Sequence, residues 1–314
     1  MSKKKRDKSK DKFEQNITNV HDKFFKETFS RLDVVQNFIE ETLPIEYKSK
    51  INLQNLVLSK DSFIDAALEE HLADLVYQTT FEGQEVLVTL LFEHKSYTDS
   101  FPHWQLLRYM TNIWQQEQKQ KQKPSLVISI IIHHGDSAWK KVPMKSYFGE
   151  LQASLLPFLP EFDYILVSLN DFSDKQITEF KNAFLRTAAL LMKHSRDEEK
   201  KLLAIESMIV DCLKSVEALQ DDNYMDTVIL YMKNTLDLTS QELMIIFTKV
   251  STIVTQKYMT VDQRIRLEAT ENTTFNHVKG LIQNGIAPEI IAKSFGLSIQ
   301  KIEEIIKNLK SSSN

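Results

Sequence analysis

Residues 74–95, DLVYQTTFEGQEVLVTLLFEHK, carry the strongest structural signal in the chain. Leu75 to Phe81 and Val86 to Phe92 are rich in Val, Leu, Thr and aromatic residues, with Glu82-Gly83 between them. Two β-prone runs joined by a turn containing Gly predict a β-hairpin. The turns that match strand twist need positive φ, which Gly adopts without a Cβ clash. A two-residue turn sets Phe81 opposite Gln84 and Asp74 opposite Leu91. Opposite residues share a face, as do alternate residues along a strand. Asp74, Leu91, Glu93 and Lys95 therefore fall on one face. Asp74 and Glu93 are diagonal neighbours, with backbones roughly 7–8 Å apart. One residue more or fewer in the turn would break this parity.

Outward from the hairpin, the apolar residues Phe24, Phe25, Phe29, Leu32, Val35, Phe38 and Ile39 recur at helical spacing. They predict one helix from His21 to Glu41, stopped by Leu43-Pro44. Residues 51–70 read as short strand and turn. Pro102 opens a helix running to about Gln118. Leu126 to His133 is a nearly continuous apolar strand of the kind buried on both faces, and Tyr164 to Leu169 reads as another. From Asp174 the pattern is almost wholly helical. The expected class is α/β, with an all-helical C-terminal part.

Composition bounds the function. The 314 residues are 42% hydrophobic and 26% charged, a globular composition, and no apolar run reaches the length of a membrane span. The N-terminus is charged from its third residue and does not read as a secretory signal. Cys212 is the one cysteine, which excludes an internal disulfide and a cysteine-rich zinc site; it reads as a buried thiol. A cytoplasmic location is expected. Residues 1–12 hold seven Lys or Arg and two Asp, leaving 32 basic against 41 acidic residues in the rest. Residues 1–14 read as a disordered basic tail. The acidic body argues against a broad DNA-coating surface but suits an enzyme that meets phosphate through metal ions. The chain has no P-loop, dinucleotide-binding, α/β-hydrolase or zincin signature.

The face bearing Asp74, Glu93 and Lys95 has a chemistry. Two carboxylates at that range can close on one hard cation. A carboxylate-held Mg²⁺ can activate water and neutralise charge on a phosphodiester, and Mn²⁺ or Ca²⁺ suits the same oxygen donors. A lysine ammonium beside it can orient the water or offset developing charge. The plainer reading makes Glu93 and Lys95 markers of the strand's exit to solvent, and an E-x-K triplet alone carries little weight. Gln105 and Tyr109 share a face of the next helix, with Arg108 beside them, and can donate to a phosphate or to the metal ligands. His133 and His134 face opposite sides of their strand end and do not bind one metal together.

Asp74, then Glu93-His94-Lys95, then Gln105-Leu106-Leu107-Arg108-Tyr109 resembles the PD-(D/E)XK nuclease superfamily. With His21-Asp22-Lys23-Phe24-Phe25-Lys26, Asp74-Leu75-Val76-Tyr77, Leu91 to Ser96 and Leu107 to Met110, the chain more closely resembles the Rpn/YhgA-like family of recombination-promoting nucleases and transposases. That resemblance covers about residues 20 to 170. It implies a Mg²⁺-dependent DNA endonuclease on a restriction-endonuclease-like fold, a mixed central sheet flanked by helices. Asp74 and Glu93 would be metal ligands, Lys95 the catalytic lysine, and Glu27 or Asp22 an added acidic group from the first helix.

The expected domains are 15–265, with the core sheet at about 50–170 and a helical extension at 172–265, and a small unit at 272–310. That unit reads as three short helices, His277 to Gln283, Pro288 to Ser294 and Ile299 to Leu309. It resembles a helix-turn-helix in which Gln300 and Lys301 would touch DNA. Glu303 and Glu304 follow at once, which favours a packing or dimerisation unit. DNA is the expected partner, and a homo-oligomer is left open. The alternative function is a non-catalytic DNA-binding or adaptor protein on the same fold.

Overall fold

The computed structural model describes residues 20–59, 74–93, 101–135, 138–295, 297–300, 302–303 and 305–306. The basic tail, His94, Lys95, Lys301 and Glu304 lie outside the described residues.

The hairpin forms as the turn chemistry requires. Strands β2 (Asp74–Phe81) and β3 (Gln84–Glu93) pair antiparallel, with Phe81 opposite Gln84 and Asp74 opposite Leu91. Glu82 and Gly83 sit at φ 50° and 85°, the left-handed conformations of a two-residue primed turn. The short strand β1 (Val57–Leu58) borders β2, antiparallel. On the other side, β3 pairs parallel with β4 (Leu126–His133), and β4 with β5 (Ile165–Ser168). The sheet is mixed, in the order β1-β2-β3-β4-β5. Parallel neighbours need a crossover, and α4 (Pro102–Lys119) carries the chain from β3 to β4.

Each face of the sheet has its own cover. Leu87 and Val127 are register partners and pack with Met110 and Ile113 of α4; Ile131 packs with Leu106, Tyr109 and Tyr164. On the other face, the buried Tyr77 hydroxyl donates to the Phe29 carbonyl of α1 (20–29), and His134 Nδ1 donates to the Met192 carbonyl, 2.9 Å away, in α6 (Ala183–Lys193). Aromatic burial holds α1. Phe24, Phe25 and Phe29 are buried, and Phe24 stacks at 4.0 Å on Tyr231 of α9 (Asp222–Thr235). Each such ring contributes about 1.5–3 kcal/mol on burial.

Two expectations need correction. The stretch from His21 to Glu41 is two helices, α1 and α2 (Leu32–Thr42), because Arg31 is extended at the break. Arg31 leaves the helix to pair with Asp221 at 2.8 Å and to lie over the rings of Phe184 and Tyr224 at 4.3 and 4.9 Å. The segment from His277 to Gln283 is the end of a 32-residue helix, α11 (Thr252–Gln283), and not a helix of its own.

The chain divides into two compact units, one up to Val254 and one from Thr255, with the boundary inside α11. The first also holds α3 (Ile45–Lys48), α5 (Asp174–Thr178), α7 (Glu199–Ala204) and α10 (Ser240–Val250), and its α8 (Glu206–Glu217) buries Cys212, whose thiol is pushed up to about 11 by burial. In the second, Val278 packs with Ile291 and Ala292 of α12 (Pro288–Phe295) and with Ile302 and Ile305, so the three C-terminal segments share one small core.

Candidate active site

The site is built on the ends of two central strands. Asp74 opens β2 and Glu93 closes β3. The Asp74–Leu91 pairing makes Asp74 and Glu93 diagonal neighbours on one face, so their backbones are roughly 7–8 Å apart. That face is the one α4 covers, because Leu87, Leu91 and Glu93 alternate along β3 and Leu87 packs on Met110 and Ile113. Lys95 lies outside the described residues.

Helix α4 returns over this end of the sheet. Tyr109 and Leu106 are buried against Ile131, the partner of Leu91, which is in turn the partner of Asp74. Gln105 is half-buried and Arg108 is exposed. The helix thus presents its apolar stripe to the sheet and keeps its one cation in this stretch at the surface. Glu27 is placed elsewhere: it pairs with Arg31 at 3.6 Å, on the helix that packs against the opposite face. Asp22 is half-buried on the same helix. Gln300 is exposed in the C-terminal unit, and Lys301 lies outside the described residues.

The structure adds a residue that sequence reasoning set aside. Glu93 pairs directly with His133 across β3 and β4. His133 and His134 do face opposite sides, as expected: His134 reaches α6, while His133 is on the Glu93 face. His133 is buried, its ring 5.2 Å from that of Trp139. Trp139 packs on the Tyr109–Tyr164 cluster, and Tyr164 lies 5.2 Å from the buried ring of His103 in the first turn of α4. Burial pushes His103 below the usual imidazole value, although Asp163 opposes the shift. No local signal could have found His133, because parallel register depends on the crossover and not on a turn.

These features define an α/β protein on a mixed five-stranded sheet, with two carboxylate positions and a histidine converging on one face at the strand ends. The chain belongs to the YhgA-like family: a family profile described as "Putative transposase, YhgA-like" matches residues 19–224, reaching past the sheet through α8 and into α9. Among similar proteins from Escherichia coli (strain K12), "Recombination-promoting nuclease RpnC" is 24% identical over 187 residues, 59% of this chain and 62% of its own length. "Inactive recombination-promoting nuclease-like protein RpnE" is 24% identical over 260 residues, 81% of this chain and 84% of its own. "Recombination-promoting nuclease RpnA" is 21% identical over 284 residues, 90% of this chain and 95% of its own. The match to RpnC thus spans less than two thirds of that relative. No solved structure matches significantly.

Proposed function

We propose that the chain is a metal-dependent DNA endonuclease of restriction-endonuclease-like fold, with Asp74, Glu93 and Lys95 at its centre. The observation that carries this is the hairpin register: Asp74 opposite Leu91, and therefore diagonal to Glu93, beneath the returning helix α4. Relatives named as recombination-promoting nucleases support the same reading.

The donor set fits a hard divalent cation. Two carboxylate positions at that separation supply oxygen ligands, as Mg²⁺ prefers, and Mn²⁺ or Ca²⁺ would also suit them. Among the described residues no group of three or more His, Cys, Asp or Glu is placed to hold a metal ion. Asp74 and Glu93 would hold the ion, which when bound acidifies water and offsets charge on phosphate. Lys95, two residues beyond Glu93 in the sequence, would supply a positive charge for the scissile phosphate. Gln105 would orient a phosphate oxygen or a carboxylate by hydrogen bonding. Tyr109 and Leu106 fix α4 over the strands and keep the site's floor dry. Arg108 is free to meet the DNA backbone at the surface.

In this reading DNA is the substrate and the cytoplasm the expected location. Among the described residues no helix is long and apolar enough to cross a membrane. The relative named inactive favours a second reading, a non-catalytic DNA-binding or adaptor protein on the same scaffold. Plasmid nicking with Mg²⁺, against chelator and against Asp74→Ala, separates the two: the nuclease reading requires nicking that both controls abolish.

A further inference from the structure

Near the first turn of α4, large rings stay at the surface. Phe101, Trp104 and Phe148 are 45%, 46% and 42% exposed. They form one packed group around Tyr147, which lies 4.9 Å from Phe101 and 5.9 Å from Trp104, while Trp104 lies 5.8 Å from Phe148. The group is anchored from below. Tyr147 hydrogen-bonds the buried His103 at 2.6 Å, and His103 abuts Tyr164 in the cluster beneath α4. The rings therefore continue, by contact, the aromatic path that starts at His133, the register partner of Glu93.

The segments that carry these rings are locally basic, with Glu117 and Glu150 just beyond their ends. Residues 101–116 and 138–149 carry Arg108, Lys140, Lys141 and Lys145 and no carboxylate, in a protein of net charge −4. Lys141 is engaged with Asp163 at 2.7 Å, while Lys140 and Lys145 are exposed. Exposed, mutually packed rings on segments that also carry exposed cations suit single-stranded nucleic acid. Bases stack on the rings whatever their sequence, and lysines follow the phosphates. In a duplex the base faces are already stacked on one another, so the rings would gain little.

We propose that Phe101, Trp104, Tyr147 and Phe148 form a stacking platform for unpaired bases of single-stranded DNA beside the cleavage site. This rests on the nuclease reading for its purpose but not for its test, because binding is measured without metal. The full chain is titrated, in chelator, against fluorescent oligothymidylate of about 20 nucleotides and a duplex of the same length. That length exceeds the roughly 4–16 nucleotides one such surface covers. Oligothymidylate should bind more tightly than duplex and quench tryptophan fluorescence. Trp104→Ala with Phe148→Ala should weaken oligothymidylate binding by about tenfold or more. Trp104→Phe, which keeps a stacking ring, should retain most of it. Lys140→Gln with Lys145→Gln should lower the salt slope by about 1.4, or 0.7 for each lost phosphate contact. Equal binding of duplex and oligothymidylate overturns the platform, as does unchanged binding by the folded double-alanine protein. So does self-association that this variant abolishes, in a chain that does not bind oligothymidylate. Oligothymidylate binding in a protein that nicks nothing with Mg²⁺ would sink the nuclease reading and leave the platform standing.

Discussion

Glu93 and His133 are direct register partners across the parallel β3–β4 pair, so a carboxylate position and a buried imidazole stand side by side at the end of the sheet. His133 also packs against Trp139. His133→Asn keeps a polar group but loses ring volume, which should cost about 1–3 kcal/mol of stability. If the imidazole also supports the site, Mg²⁺-dependent nicking should fall by at least tenfold at a temperature where the variant is fully folded. Wild-type nicking by the folded variant would make His133 a packing residue only.

The turn at Glu82-Gly83 sets the register. Gly83 has φ 85°, and a Cβ added there would meet no atom within 4 Å. The cost of Gly83→Ala is therefore conformational, about 1–2 kcal/mol. Thermal unfolding should show that loss with nicking retained. A neutral or stabilising substitution would mean the turn is not held in the left-handed conformation.

The hairpin, α4 and the apolar strand β4 were legible in the sequence because each is specified locally. A glycine turn fixes a register, Pro102 fixes a helix start, and a nearly continuous apolar run marks a strand covered on both sides. The break at Arg31 was not legible, since Phe24 to Ile39 keep one helical period across it. A partner about 190 residues away, Asp221, pulls Arg31 out of the helix. The length of α11 was hidden for a related reason. Its apolar residues follow no single stripe, so only its last turns, next to Asn284-Gly285, stood out. Within the candidate site, the positions of Asp74 and Glu93 followed from the turn, while that of His133 depended on a crossover no local pattern encodes.

Asp174 gives the protein a pH dependence on the acid side. Burial raises its carboxyl, but hydrogen bonds from Lys193 at 2.6 Å and His194 at 2.8 Å outweigh that and hold it below its ordinary value. A depressed carboxylate stabilises the fold above its unfolded pKa of about 3.9, and the contribution is lost as pH falls through the lower folded value. Asp174→Asn should therefore cost about 1–2 kcal/mol at pH 7. The gap to wild type should close below about pH 4. Denaturant melts across pH 3–7 check this, and a gap constant with pH would contradict it.

Cys212 should be inert in the folded protein. It is buried, and with its thiol near 11 only about one molecule in a thousand is thiolate at pH 8. An aromatic disulfide reagent should label it only at the rate of unfolding. Rapid labelling of native protein would show that α8 opens locally.

The metal role separates from simple folding in four proteins. Asp74 and Glu93 should repel one another without a cation, and a divalent ion should stabilise the fold by mass action. Asp74→Asn and Glu93→Gln should be at least as stable as wild type without metal, and should gain less from Mg²⁺ or Ca²⁺. Lys95→Ala should keep the metal stabilisation while turnover falls by about two or more orders of magnitude. Equal metal stabilisation in all four would remove the ion from this face.

The most direct test is the rate of plasmid nicking in Mg²⁺ by Glu93→Gln beside wild type, at matched concentration and with both proteins folded. The expected result is nicking by wild type that chelator stops, with a loss of at least about a hundredfold in the variant, as for removal of a group acting on the transition state. Nicking by Glu93→Gln at the wild-type rate would contradict the active-site assignment and leave the strand-end face as a binding surface.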